Sequence, residues 1–145
     1  MTTPASPRRD SGFDLQALPD RVLTFLTVRH LSTLSTLNPD GSPHVVPVGF
    51  TFDPTTRTAR VITSGGSVKA RNAARDGARA ALCQVDGGRW LTVSGPVRVL
   101  TDAESVAHAE RLYAARYRTP KVNPARVVLL MDVEKIMGRV PVLPS

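Results

Sequence analysis

The residue types best suited to chemistry gather in one short stretch between a predicted strand and a predicted helix. Residues 63–67 (TSGGS) supply hydroxyls and two glycines, and Lys69 follows at the start of the helix. Hydroxyls donate to oxyanions, glycines let the backbone approach a ligand, and free amides at a helix start favour anions. This stretch predicts a phosphate cradle. The alternative is an ordinary strand-to-helix turn in which Ser67 only caps the helix.

Other chemical motifs are sparse. The cradle lacks the GxxxxGK[ST] and GxGxxG spacings of two familiar phosphate-binding turns, and the chain contains neither HExxH nor GxSxG. The three histidines fall in different predicted elements, and Cys83 lies in a predicted strand, where an inert thiol is the usual state. We therefore expect no metal site and no catalytic side chain, so an enzyme of this sequence would rely on a cofactor for the chemistry.

Two further groups of side chains are candidates for ligand contact. Trp90 follows a predicted turn at residues 86–88 and either lines a pocket or belongs to the core or its rim. The last predicted helix carries a cluster of Arg and Tyr side chains that includes Arg116 and Arg118. These guanidinium groups either bind the acids of a substrate or solvate the helix.

The charge of the chain indicates an anionic partner. It has 19 basic and 12 acidic residues, a net charge of +7, and most of its basic residues are Arg, which prefers planar oxyanions. Aromatic residues make up 5% and are not interleaved with the basic ones, which argues against a nucleic-acid-binding barrel. No apolar run approaches the ~20 residues that span a bilayer, and the start of the chain has no apolar signal region. We expect a cytoplasmic protein that binds neither nucleic acid nor membrane.

The elements that must position these residues are predicted to form a small antiparallel β-barrel in one domain. Residues 1–17 are rich in Pro, Ser, Thr and charge, which predicts a disordered arm before a domain at residues 18–145. Two or three helices are predicted, at residues 18–29, 68–76 and 103–117. About six strands are predicted, at residues 31–37, 43–52, 59–63, 79–85, 89–100 and 126–140, the last one bent near Glu134. Pro43 and Pro47 predict that their strand has one unpaired edge.

Taken in order, three segments resemble the split β-barrel flavin and deazaflavin oxidoreductases related to pyridoxamine 5′-phosphate oxidase. The segments are HLSTLSTLNPDGSPHVVPVGFTFD, ARVITSGGSVKARNAARD and ALCQVDGGRWLTVSGPV. The sequence is most similar to the branch that uses coenzyme F420. The resemblance implies a mainly β (α+β) fold, a split antiparallel barrel with flanking helices. It also implies a homodimer with cofactor sites at the subunit interface.

The same resemblance assigns residues to the cofactor. It implies that the ring contacts the backbone of Val46, Pro47, Val48 and Gly49. It implies a strand end near the phosphate at Thr63 and Ser64, with Arg60 beside them, and a phosphate-binding turn at Ser67, Lys69, Arg71 and Asn72. It also implies that Trp90 reaches the ring from the partner subunit.

The activity implied by the resemblance is hydride transfer from reduced F420 to a small conjugated organic acceptor. Biliverdin is one such acceptor, and its propionates would pair with Arg116 and Arg118. An FMN-binding oxidoreductase of the same fold and a non-catalytic F420- or tetrapyrrole-binding protein stay open as alternatives. F420 carries an acidic lactyl-oligoglutamate tail, and the surplus of basic residues near the cradle favours it over FMN. That surplus comprises Arg57, Arg71, Arg75 and Arg79.

Overall fold

The chain alternates short helices with hairpins of antiparallel strands. The computed structural model describes residues 12–142. Its helices are α1 (Asp20–Thr27), α2 (Val68–Ala73) and α3 (Ala103–Arg116). Its strands are β1 (Ser32–Leu37), β2 (Pro43–Val48), β3 (Thr51–Asp53), β4 (Thr58–Ser64), β5 (Arg79–Asp86), β6 (Arg89–Leu100), β7 (Arg126–Asp132) and β8 (Lys135–Arg139). In this part of the chain, no helix is long and apolar enough to cross a membrane.

The strands form an antiparallel sheet that curls without closing. Its order is β2-β1-β5-β6-β7-β4-β3, and β8 pairs with β6 beside this path. The long strand β6 belongs to both halves, because its first part pairs with β5 and β8 and its last part pairs with β7. It changes partner at Gly95, where a Cβ atom would overlap the carbonyl oxygen of Asp132. The predicted split antiparallel barrel with flanking helices is confirmed.

The core lies inside this curled sheet and is closed by α1. Strand β1 buries alternate residues, as expected of a strand with one solvent face. Strand β7 buries every residue from Val127 to Met131, which confirms the predicted burial on both of its faces. Phe25, Phe50 and Leu34 are among the largest fully buried side chains. Burial of each such side chain stabilises the fold by about 1.5–3 kcal/mol.

Two predicted strands are each divided in the structure. The strand predicted at residues 43–52 breaks at Gly49–Phe50 into β2 and β3, and the last strand breaks at Val133–Glu134 into β7 and β8. The second break confirms the bend predicted near Glu134. Strand β2 is the first strand of the sheet order, so one of its edges is unpaired, as its two prolines predict.

The expected N-terminal arm falls mostly outside the described residues, which begin at residue 12. The structure differs from the expectation over residues 12–17. The amide of Phe13 donates to the carbonyl oxygen of Ile136 at 2.7 Å, and the side chains of Phe13 and Leu15 pack against the core. This part of the chain is therefore attached to the barrel, because two apolar side chains find a buried surface there.

Candidate functional site

A cleft of about 470 Å³ lies where the end of β2, the end of β4, the start of α2 and the segment after α3 meet. We call it the cofactor cleft, after the cofactor-binding residues that the sequence predicts there. Half of its lining consists of residues predicted from the sequence, which are Pro47, Val48, Gly49, Thr63, Ser64, Lys69 and Arg118. The other half was not assigned to the site from the sequence, although Tyr113 belongs to the predicted cluster of Arg and Tyr side chains. It consists of Leu31, Ile62, Tyr113, Pro120, Lys121, Asn123 and Arg126.

One wall of the cleft is built from the end of β2 and the rings behind it. A Cβ atom at Gly49 would lie 3.0 Å from the ring of Tyr117 and 3.2 Å from that of Tyr113. Glycine therefore lets both rings pack directly on the backbone. The two rings stack with their centroids 4.9 Å apart. This packing gives the cleft a firm, largely apolar wall beside the unpaired edge of β2.

Tyr117 fixes the end of α3 against this wall. Its hydroxyl donates to the carbonyl oxygen of His30 at 2.8 Å and accepts from the amide of Phe50 at 3.1 Å. Burial raises the pKa of Tyr117, so the hydroxyl stays protonated and keeps both hydrogen bonds. The chain leaves α3 from this anchor, and the next residue, Arg118, lines the cleft.

The hydroxyl-bearing turn after β4 forms the polar end of the cleft. The hydroxyls of Thr63 and Ser67 lie 3.2 Å apart, and Ser64 Oγ accepts from Asn123 Nδ2 at 2.9 Å. Because Asn123 occupies an acceptor position of Ser64, the hydroxyl proton of Ser64 can be donated to a ligand. This turn is therefore equipped to bind an oxyanion through its side chains.

The backbone amides of this turn contribute less than the sequence suggested. The amide of Gly65 donates to the carbonyl of Ala125 at 2.8 Å, and that of Ser67 donates to the carbonyl of Ser64 at 3.1 Å. Helix α2 has only six residues, so its dipole is small. Ser67 caps it by accepting from the amide of Ala70, which is the plainer of the two roles predicted for it. Hydroxyls and cations, rather than amides, make this end of the cleft attractive to anions.

Basic side chains surround the polar end of the cleft. Lys69, Arg118 and Lys121 line it, and none of them has a carboxylate partner within residues 12–142. Arg126 also lines it, with its guanidinium held by Glu110 at 2.6 Å and by the carbonyl of Lys121 at 2.7 Å. No Asp or Glu is part of the lining. The cleft therefore carries a concentrated positive charge that suits a ligand with more than one acidic group.

Asn72 and Arg71 of α2 lie outside the cleft lining. The amide group of Asn72 is buried and donates to Thr36 Oγ1 at 3.0 Å and to Asn38 Oδ1 at 3.1 Å, so it holds the β1–β2 hairpin against α2. Arg71 is exposed on the same helix. The other members of the predicted basic surplus, Arg57, Arg75 and Arg79, do not line the cleft either.

Val46, Arg60 and Trp90 are also outside this lining. Val46 packs against the core. Arg60 lies two residues before Ile62 on β4, beyond the edge of the lining, and its Nη1 donates to Thr58 Oγ1 at 3.0 Å. Trp90 is half-buried on β6 opposite Val85, away from the cleft of its own chain.

Arg116 is buried in the protein interior, whereas a residue that binds a substrate must be accessible to it. It is only 9% exposed, and it donates to the carbonyl oxygens of Phe50 at 2.7 Å and of Val28 at 3.0 Å. Burial lowers the pKa of its guanidinium from the ordinary value, although not enough to discharge an arginine near neutral pH. The predicted contact between Arg116 and a substrate acid is corrected, because the guanidinium is committed to the interior.

The part of the site that was missed is the segment at residues 119–126, which follows the predicted Arg118. It brings Lys121, Asn123 and Arg126 against the turn after β4, although some 60 residues separate the two in the sequence. The segment shows two basic residues and two prolines, which are signs of a loop. Nothing in its own pattern indicates which turn it covers.

Comparisons with known proteins agree with this architecture. The family model of pyridoxamine 5′-phosphate oxidase matches residues 18–139. The chain is 55% identical over 126 residues to the F420H(2)-dependent biliverdin reductase of Mycobacterium tuberculosis, and the match covers 87% of this chain and 91% of that protein.

Solved structures show the same fold at lower identity. A conserved hypothetical protein of Mycobacterium tuberculosis is 19% identical with a TM-score of 0.72, covering 89% of this chain and 92% of its own. An F420 reductase is 24% identical with a TM-score of 0.64, covering 78% of this chain and 93% of its own. Together with the family match over residues 18–139, these likenesses identify the chain as a member of the pyridoxamine 5′-phosphate oxidase family.

Proposed function

We propose that this chain is an F420-dependent oxidoreductase that uses reduced F420 to reduce a conjugated acceptor, with biliverdin as the acceptor. The observation that carries the proposal is the 55% identity to an F420H(2)-dependent biliverdin reductase over most of both chains. The cofactor cleft supports it, because its apolar wall and its basic, hydroxyl-rich end match the two chemical parts of F420. Those parts are a flat deazaflavin ring and a phosphate followed by an acidic tail.

The residues of the cleft fit this cofactor in a specific order. The end of β2, at Pro47, Val48 and Gly49, offers the apolar wall and unpaired backbone edge that suit the ring. Thr63, Ser64 and Lys69 suit the phosphate, because hydroxyl donors and an ammonium group bind oxyanions well. Lys121 is exposed in the same lining and suits the acidic tail, whereas the guanidinium of Arg126 is held by Glu110.

The bound cofactor supplies a hydride to the acceptor, and the protein supplies position and electrostatics. The β2 wall, held by Tyr113 and Tyr117, would support the ring of the cofactor, and Asn123 orients the hydroxyl of Ser64. Arg118 is exposed at the rim, where it can pair with a propionate of the acceptor. No side chain needs to act as a nucleophile in this account, in agreement with the absence of catalytic motifs from the sequence.

The outer face of β1, β2 and β5 supports the proposal of a homodimer. In this face Thr33 lies opposite Pro47 and Cys83, Ser35 opposite Val45, and Leu37 opposite Pro43. None of these residues is charged, and Leu37 and Val45 are 57% and 55% exposed. Apart from Arg79 at one end of β5, which lies beside Leu37 and Pro43, this face exposes uncharged side chains, as is typical of a subunit interface.

The position of this face also bears on the cofactor site. Leu31 and Pro47 lie at its edge and line the cofactor cleft as well. A second copy on this face would therefore border the cleft, which supports the proposal that the cofactor sites lie at the subunit interface. We also propose that Trp90 contacts the cofactor bound by the partner subunit. The cytoplasmic location stays a prediction.

Turnover with defined reagents tests the proposed reaction. Purified protein is mixed with reduced F420 and biliverdin, and the absorbance of oxidised F420 is followed together with that of bilirubin. We expect both products to form in equal amounts, since one hydride leaves the cofactor for each acceptor reduced. Binding of F420 without its oxidation by biliverdin would instead favour a cofactor- or tetrapyrrole-binding protein of the same fold.

A further inference from the structure

A second cleft, of about 580 Å³, lies on the other side of the segment that joins α1 to β1. Its walls come from α1, the β5–β6 hairpin and residues 140–142, and it shares no lining residue with the cofactor cleft. His30 lines the second cleft, whereas its neighbour Leu31 lines the cofactor cleft. The volume lies within the range of sites that enclose small organic ligands.

The second cleft presents apolar surface to solvent. Phe25 lies beneath the cleft and is only 1% exposed, because the ring of His30 packs with its centroid 4.8 Å away and the guanidinium of Arg89 lies 4.8 Å from the Phe25 ring centroid. At the rim, Val28 is 52% exposed and Val142 is 74% exposed. The apolar body of a ligand would shield both rim side chains from water.

The side chains that line the second cleft include one more positively charged arginine than carboxylates. Asp86 forms an ion pair with Arg89, and its carboxylate also lies 3.4 Å from Nε2 of His30. Arg21 stands on the α1 side, where its Nε donates to the carbonyl of Val140 at 2.6 Å. Arg21 has no carboxylate partner among residues 12–142, so the lining carries one positive charge that its own acid does not neutralise.

We propose that the second cleft is a binding site for an apolar molecule that bears a single carboxylate. The apolar body lies between the exposed side chains of Val28 and Val142, and the carboxylate pairs with Arg21. The pair formed by Asp86 and Arg89 has a positioning role, because it holds the Arg89 guanidinium over the ring of Phe25. Within one chain this site shares no lining residue with the cofactor cleft, so it does not rest on the proposed reductase activity.

The test uses cis-parinaric acid, a fluorescent long-chain carboxylate, and its uncharged methyl ester. We expect saturable binding of one acid per chain, weaker binding of the ester, and no displacement of the acid by F420. Arg21→Gln should weaken binding of the acid about two- to fivefold, as expected for loss of an ion pair at an exposed arginine. Arg75→Gln is the matched control, because it removes one positive charge elsewhere on the surface and should leave the affinity unchanged.

A second variant guards against indirect effects on folding. Thr24 is exposed on α1 and lines the second cleft, so Thr24→Glu places a carboxylate there without disturbing the core. This variant should also weaken binding of the acid, with little effect on the ester and an unchanged thermal transition. Equal affinity for acid and ester, displacement by F420, or full affinity in both Arg21→Gln and Thr24→Glu would each overturn the proposal.

Discussion

Arg116 Nη2 donates to Oε1 of Gln84 at 2.8 Å inside the protein, and this contact joins the end of α3 to the middle of β5. Gln84 is fully buried and donates in turn to the carbonyl oxygen of Phe25 at 2.7 Å. The guanidinium is also stacked over the Phe50 ring, with its central carbon 4.9 Å from the ring centroid. One arginine thus links α1, α3, β5 and the break between β2 and β3, and it does so with neutral acceptors.

Arg116→Met should therefore destabilise the protein by roughly 3 kcal/mol or more. The substitution keeps an apolar stem but leaves several buried acceptors without a donor, each at a cost of about 1–3 kcal/mol before relaxation. Urea denaturation monitored by Trp90 fluorescence would measure the loss. If Arg116→Met kept full stability and only raised the KM for biliverdin, the substrate role expected from the sequence would be restored.

Arg118→Gln should affect the acceptor rather than the fold. Arg118 is exposed at the rim of the cofactor cleft, so an ion pair with a propionate would be worth at most about 1 kcal/mol. We expect the KM for biliverdin to rise about two- to fivefold, with unchanged thermal stability. The matched control is Arg111→Gln, on the exposed part of α3, which should change neither quantity. An unchanged KM in Arg118→Gln would argue against the assigned contact.

Val45→Arg should convert a dimer into monomers. Val45 lies on the outer face of β1, β2 and β5, and a two-fold axis through this face would bring the introduced charges of two subunits together. Light scattering after size exclusion would report the mass. Val122→Arg introduces the same charge at a side chain that is 98% exposed in the loop after α3, and it should leave the mass unchanged. A dimer that persists in Val45→Arg would place the interface elsewhere.

Asp86 should give the protein an acid-sensitive contact. Hydrogen bonds from Arg89 and His30 hold the pKa of Asp86 below its ordinary value of 3.8. Because the folded pKa lies below the unfolded one, the contribution of Asp86 to stability is full above pH 3.8 and is lost as the pH falls through the folded pKa. The Tm of Asp86→Asn should lie below that of the parent chain at neutral pH, and this difference should shrink on acidification. A difference that does not depend on pH would contradict the role of the ion pair.

The sequence was most informative where neighbouring residues act together. Thr63, Ser64 and Lys69 are close along the chain, so their shared chemistry was visible before any fold was known. The prolines of β2 likewise predicted the free edge of that strand, since the missing amide donor is a local property of the residue.

The features of the site that the sequence did not predict depend on contacts between residues that are far apart in the chain. Arg116 and Arg118 belong to one run of Arg and Tyr residues, yet one is buried and the other lines the cofactor cleft. The last turn of α3 and the hydrogen bonds of Tyr117 determine that Arg116 is buried and that Arg118 lines the cleft. The local sequence does not indicate either feature. Asn72 is a comparable case, because its buried amide group is directed at the β1–β2 turn rather than at a ligand.

The most direct test of the central claim is an equilibrium titration of the purified protein with F420 and with FMN, repeated on Lys69→Ala and on Arg75→Ala. Lys69 lines the cofactor cleft, and Arg75 is an exposed arginine outside it. We predict that F420 binds more tightly than FMN, that Lys69→Ala weakens F420 binding about tenfold or more, and that Arg75→Ala leaves it unchanged. Tight binding of FMN without F420, or equal F420 affinity in Lys69→Ala and the parent chain, would contradict the assignment of this cleft to F420.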